Sequence, residues 1–174
     1  MHLNLKNSIA FFDLEATGTN VSTDRIVEIS IVKLNPDGGQ QIYTRRVNPG
    51  VPIPLEASLI HGLYDKDLKN EPYFKDLAQE VFQFIGLSDL AGFNVLKYDI
   101  PLLVEEFLRS GIDFDLDKRN LLDAQKIFHL MEKRNLSAAY KFYCGKKLEN
   151  AHSAEADTLA TVDVFRAQVE RYLG

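Results

Sequence analysis

The sequence has a single cysteine, Cys144, among 174 residues. It can form no internal disulfide and no cysteine-based metal knuckle, which leaves it the role of a small apolar filler in a helix. No uncharged apolar run approaches about 18 residues, so a helical membrane span is excluded. The opening stretch, Met1 to Ser8, is too short and polar for a secretory signal, and a cytoplasmic location with no export is expected. Repeats, low-complexity tracts and linkers are all missing. The length then implies one domain over 1–174, large enough for a core without staples. With 45% hydrophobic and 26% charged residues, disordered and fibrous classes are excluded.

Positive charge is also short, since 20 Lys and Arg against 25 Asp and Glu leave a net charge of −5. Its distribution is uneven. Lys118, Arg119, Lys126, Lys133, Arg134, Lys141, Lys146 and Lys147 face only Asp123 and Glu132 in the same segment. This basic island either holds a polyanion or is a pair of solvated helix faces.

What is present is organised around Ile9–Thr19, IAFFDLEATGT. Its first half has the apolar and aromatic character of a buried central strand. Strand side chains alternate, so Asp13 and Glu15 share a face, with Phe11 behind them. Two like charges held that close repel. Without a cationic neighbour they shift their pKa or cost several kcal/mol, and a divalent cation is an effective counter-charge. The small residues Ala16-Thr17-Gly18-Thr19 leave room beside them for a phosphate.

Arg25–Leu34 reads as a second strand, with Val27, Ile29 and Ile31 on one face, and Asn35–Gly39 is a turn. Gln41–Val47 returns as a third. Glu56–Ile60 makes a short helix ending at His61-Gly62, with His61 either a helix-end residue or a group turned toward a site. A helix is predicted over Pro72–Ile85, with Phe74, Leu77, Ala78, Val81 and Ile85 at helical spacing. Leu87–Phe93 is a fourth strand. Asp99 is placed to cap the next helix, which carries Pro101 in its first turn, Leu103, Val104, Phe107 and Leu108 inside, and Gly111 as its stop. Asp113, Asp115 and Asp117 lack the glycine and terminal glutamate of a calcium loop. Asn120–Asp123 suggests a fifth strand, followed by helices over Ala124–Lys133 and Leu136–Cys144. In the last helix Ser153 is the expected N-cap, Asp157 sits one turn in, and Val162, Phe165, Val169 and Tyr172 form the expected buried stripe. His152, five residues ahead of Asp157, has to come from the preceding loop to share a site with it. The fold class is α/β, a mixed five-stranded sheet with three antiparallel strands, then strand-helix units, flanked by helices.

Three stretches, FFDLEATGT, AGFNVLKYDIPLL and HSAEADTLATVDVF, resemble in content and order the motifs of the DEDDh family of 3′-5′ exonucleases, the DnaQ-like group of the ribonuclease H-like superfold. LIHGL at Leu59–Leu63 is similar to a secondary motif of that family, and the resemblance covers essentially the whole chain. Within that family the chain is similar to the exonuclease domain of the bacterial DNA polymerase III epsilon subunit. One departure is the spacing of Asn94 and Asp99, a residue longer than is common in replicase proofreaders. The chain ends with its last helix, so it either works alone or is the catalytic piece of something longer.

The resemblance implies a metal-dependent exonuclease that releases nucleoside 5′-monophosphates from the 3′ end of single-stranded or frayed DNA, in proofreading or repair. A DNA polymerase subunit is an implied partner. Two divalent cations, Mg²⁺ or Mn²⁺, are the implied cofactors, and hard oxygen ligands with few histidines suit them better than Zn²⁺. Asp13 would bridge both ions, Glu15 and Asp157 would complete the site of the ion holding the attacking water, and Asp99 would serve the second. His152 would be the general base; imidazoles as a class titrate at about 6.5, which suits that task. Leu14 and Thr17 would lie against base and sugar, His61 and Asn94 near the sugar-phosphate, and Tyr98 beside the scissile bond. The alternatives are an exoribonuclease acting on RNA ends or short oligoribonucleotides, and a non-catalytic module that binds nucleic acid or protein.

Overall fold

A computed structural model describes residues 4–149 and 151–173; residues 1–3, on which the signal-peptide reading partly rests, lie outside them. Backbone contacts divide the chain into two compact units, Met1–Lys126 and Ile127–Gly174, each taken by itself below.

The first unit holds a sheet of five strands, β1 (Ile9–Ala16), β2 (Ile26–Leu34), β3 (Gln40–Arg46), β4 (Asp89–Gly92) and β5 (Leu121–Asp123), in the order β3-β2-β1-β4-β5. The first three pair antiparallel, and β1 with β4 and β4 with β5 run parallel. The sequence pattern therefore yields the expected mixed sheet with β1 at its centre. Along β1 the side chains alternate as the period of two demands: Ala10, Phe12, Leu14 and Ala16 are buried, while Phe11, Asp13 and Glu15 are not. The β1–β2 register slips between Glu15 and Ala16, so the ladder is irregular just beside the carboxylates and resumes at Ala16, opposite Ile26.

Helices α1 (Leu55–His61), α2 (Asp65–Leu68), α3 (Phe74–Ile85) and α4 (Asp99–Arg109) complete this unit. α3 begins two residues later than Pro72 suggests, because the Asp76 carboxylate accepts the Tyr73 N–H at 3.3 Å and makes Tyr73 the cap. The core joins Leu77, Val81 and Ile85 of α3 and Leu103 and Phe107 of α4 to Phe12, Leu14, Ile29 and Ile31 of the sheet. Phe107 stacks on Phe114 at 4.7 Å and meets Phe74 edge-on at 5.5 Å. A second cluster, Val27, Ile53, Leu63 and Leu68, ties α1 and the short α2, which the sequence reading lacks, to β2. That anchorage fixes His61.

β4 can end beside β1 only because residue 92 is glycine. A Cβ there would lie 2.8 Å from the Phe12 carbonyl oxygen and 2.8 Å from the Val95 Cβ. Gly92→Ala should therefore destabilise the protein by about 1–3 kcal/mol, the scale of overpacking, in urea unfolding. A cost near zero would mean that the strand end shifts freely.

α5 (Ala124–Met131) follows β5, and the second unit contains α6 (Leu136–Cys144) and α7 (Ala154–Leu173). Asn135 caps α6, its side-chain oxygen accepting the Ala138 N–H at 3.0 Å, and Gly145 closes it at φ 66°. α6 packs on α7, with the Tyr143 and Tyr172 hydroxyls 3.0 Å apart. The stripe expected on α7 is displaced: Val162, Phe165, Val169 and Tyr172 are exposed, and Ala160 and Val164 are buried instead.

Candidate active site

The C-terminal end of β1 delivers Asp13 and Glu15 to one face, and α4 brings Asp99 to them. Asp99 is the first residue of α4 and does not cap it; its carboxylate turns back to accept the Leu14 N–H at 3.2 Å. Burial first, and then Asp13 and Glu15, push Asp99 up to about 6, against the pull of the Leu14 N–H. Glu15 is raised by burial and by Asp13, with His61 lowering it and Glu28, its cross-strand partner, raising it. The three carboxylates thus share one electrostatic neighbourhood with too little positive charge. Among the described residues, no three His, Cys, Asp or Glu side chains converge closely enough to form a finished metal cage.

Beside them lies a cavity of about 460 Å³ lined by Leu14, Glu15, Thr17, Gly18, Asp24, Ile60, His61 and Tyr98, among others. His61 is both things its sequence position allowed. It ends α1, and its Nδ1 accepts the Leu63 N–H at 3.1 Å. That bond leaves the proton of a neutral ring on Nε2, which is buried and has no partner among the described residues. His61 thus brings a buried donor without a partner among the described residues to the wall of the cavity.

Thr17 and Tyr98 line the cavity too, but their hydroxyls are engaged. Thr17 donates to Asp24 at 3.0 Å and accepts the Arg25 N–H at 3.0 Å. Tyr98 donates to the Gly18 carbonyl, and burial, then Asp24 and Asp99, push its pKa up to about 12. It is a fixed donor near neutral pH. Asn94 does not line the cavity; it is exposed, in a left-handed conformation at φ 61°.

Sequence reasoning missed the wall's support. Arg109, at the end of α4, donates to the carbonyls of Asp24 (3.0 Å), Val21 (3.1 Å) and Ser22 (2.7 Å) and pairs with Glu105 and Glu106. Asp24 in turn accepts the Asn20 N–H at 2.6 Å. No local pattern marks either residue.

In the second unit His152 is exposed, in the turn before α7, at φ 76°. Asp157 is half-buried in the first turn of α7, its N–H bonded to the Ser153 carbonyl at 2.9 Å. The loop origin of the histidine and the helical seat of the aspartate are as read from the sequence.

Against known proteins, the RNase_T family, described as exonuclease, matches residues 10–165. The chain belongs to this exonuclease family. The match runs from β1 into α7 and takes in all three motifs. The chain is 30% identical over 162 residues to the DNA polymerase III subunit epsilon of Buchnera aphidicola, covering 86% of this chain and 67% of that one. It is 26% identical over 161 residues to the 3′-5′ exonuclease DinG of Staphylococcus haemolyticus, covering 88% of this chain but only 17% of DinG. Among solved structures it resembles the zinc-ion-bound E. coli exonuclease I in complex with single-stranded DNA, with a TM-score of 0.66 and 17% identity over 96% of this chain and 41% of that one. The fold of the chain is the DnaQ-like, ribonuclease H-like one.

Proposed function

We propose that this exonuclease hydrolyses the 3′-terminal phosphodiester bonds of single-stranded or frayed DNA and releases nucleoside 5′-monophosphates. The observation that carries the reading is Asp99, buried at the Leu14 N–H beside Asp13 and Glu15, with its acidity suppressed first by burial and then by those two carboxylates. Three acceptor-only groups repel a phosphodiester, so they suit it only when a cation stands between. Bound by Asp13, Glu15, Asp99 and Asp157, two Mg²⁺ or Mn²⁺ ions would supply that charge and acidify a water at the phosphorus. Oxygen donors of this kind fit hard cations. For Asp157 as fourth carboxylate and His152 as the base that takes the water's proton, the support is the motif HSAEAD. The unpartnered Nε2–H of His61 is suited to a phosphate or sugar oxygen of the terminal nucleotide, with Leu14 and Thr17 against its base and sugar. Asn94 and Tyr98 keep the roles that the sequence resemblance gives them, beside the sugar-phosphate and the scissile bond.

DNA is favoured because the relative named epsilon belongs to a DNA polymerase, and the solved neighbour carries single-stranded DNA. Proofreading or repair is the corresponding setting, a polymerase subunit the corresponding partner, and the cytoplasm the corresponding compartment. No helix among the described residues is long and apolar enough to cross a membrane.

The test is a gel assay with 5′-labelled single-stranded DNA and the matching RNA, with Mg²⁺, Mn²⁺ or EDTA, alongside His152→Ala. A metal-dependent ladder that shortens DNA from the 3′ end, slowed in the variant, is expected. Preference for RNA would make it an exoribonuclease, and intact bands throughout would favour a binding module.

A further inference from the structure

Asp123 is the last residue of β5 and is buried, yet it contacts no substrate-lining side chain through a hydrogen bond among the described residues. Its carboxylate is nonetheless saturated. Oδ1 accepts backbone N–H groups from Asn94 (2.9 Å), Gln125 (3.0 Å) and Lys126 (3.3 Å), and Oδ2 accepts that of Leu96 (3.3 Å). Burial raises its pKa, but those four N–H groups outweigh burial and hold it below the usual carboxylate range.

Two of the bonds are those of a helix cap, since Gln125 and Lys126 open α5. A cap needs no more. The other two reach across to the segment between β4 and α4, which has little regular structure to hold it. Among the described residues that segment's backbone carbonyls take three N–H groups, Lys97 on Asn94 at 3.3 Å, Ile100 on Val95 at 3.0 Å and Leu102 on Tyr98 at 2.9 Å, and none of these bonds holds the Asn94 and Leu96 N–H groups. Asn94 also sits at φ 61°, a conformation costly for a residue with a side chain unless its surroundings enforce it. The segment ends in Tyr98, on the cavity wall, and Asp99, against the Leu14 N–H. Its tether therefore sets where α4 starts and where the Asp99 carboxylate arrives.

We propose that Asp123 is a positioning residue of the exonuclease reaction, clamping the 93–98 segment through the Asn94 and Leu96 N–H groups so that Asp99 meets Asp13 and Glu15. The inference rests on the functional reading above. A clamp that only stabilised the fold would leave turnover and metal dependence unchanged in a folded variant. A positioning clamp would move both.

The discriminating substitution is Asp123→Ser, because a serine can still cap α5 but is too short to reach Asn94 and Leu96. Asp123→Asn is the conservative rescue: its amide oxygen can keep the three bonds at Oδ1, while its NH₂ faces the Leu96 N–H. With 5′-labelled single-stranded DNA and Mn²⁺, Asp123→Ser is expected to lose about 10–100-fold in kcat, with KM changed by less than about threefold. Its half-saturating Mn²⁺ concentration should rise by about tenfold, and Asp123→Asn should fall between it and the wild type. Amide hydrogen exchange at Val95–Lys97 should accelerate in Asp123→Ser while β1 and β2 keep their protection.

A folded Asp123→Ser protein with wild-type kcat and Mn²⁺ dependence would overturn the proposal. So would unchanged exchange at 95–97. Should Asp123→Ser fail to fold, Asp123→Asn decides on the same readouts, with exchange at Leu96 as the local probe. Wild-type protein that cuts neither DNA nor RNA would sink the functional reading, and the positioning role with it. That failure is visible before any variant is compared.

Discussion

Asp99→Asn should slow 3′-end hydrolysis by about 10²–10³ and, in EDTA at about pH 8, make the protein more stable than the wild type. Both effects have one cause. Asp99 is only 9% exposed, and burial with Asp13 and Glu15 beside it moves its pKa from 3.8 to about 6. A carboxyl whose folded pKa is raised binds its proton more tightly in the native state, so stability falls as pH climbs from 3.8 through about 6. Above that window the ionised group strains the metal-free fold. Asparagine has nearly the same shape, keeps an oxygen to accept the Leu14 N–H, and removes the charge. The expected gain is about 1–2 kcal/mol at about pH 8, after discounting for the open side of the site, and nothing at about pH 4. Urea unfolding at the two pH values measures it. Adding Mn²⁺ should then stabilise the wild type more than the variant. A slow variant with no gain in stability would mean that Asp99 is already neutralised by a group of the protein. Full activity in the variant would remove Asp99 from the machinery.

The parts of this molecule legible in its sequence are those that local periodicity or local chemistry determines. β1 needs only its own alternation to be read, and that alternation also places Asp13 and Glu15 on one face. The Asn35–Gly39 turn and the β-branched run of β2 fix the opening meander. Asp99 shows where such reading stops. Its place before Pro101 looks like a cap, and nothing nearby reveals that its carboxylate faces Leu14, 85 positions earlier. Asp123 looked like one of the two acids in a basic island, although all four of its partners are backbone N–H groups. Arg119, counted among that island's cations, turns inward to the carbonyls of Ser88 and Gly86. Composition registers a charge but not the direction it faces. For His152 and Asp157 the loop and the helical seat were legible, and any role for them rests on their motif alone, because an exposed loop histidine and a first-turn aspartate carry no periodic signal.

Arg109→Leu is expected to cost about 3–5 kcal/mol, the scale of stranding one partner of a buried ion pair. An exposed pair such as Arg45–Glu80, half exposed on both sides, is worth at most about 1 kcal/mol. Arg109 differs because it is 19% exposed and Glu106, 3.1 Å away, only 6%. Burial already lifts the Glu106 pKa, and Arg109 is the strongest of the groups that pull it down. Without Arg109 the pKa rises further, so the variant's native state holds a proton that its unfolded state releases. Stability of the variant then drops as pH rises, and the loss should be largest at about pH 8 and shrink toward about pH 5. Adding Glu106→Gln should recover part of it, since an amide tolerates burial better than an unpaired carboxylate. The same substitution frees the carbonyls of Val21, Ser22 and Asp24, and with them the wall that Asp24 and Thr17 build. KM for single-stranded DNA should rise while kcat holds, the reverse of the pattern expected for Asp123→Ser. Urea unfolding of both variants at about pH 5 and about pH 8 separates the contributions. A loss that ignores pH, and that Glu106→Gln does not relieve, would place the value of Arg109 in the three carbonyls it gathers and not in the acid it neutralises.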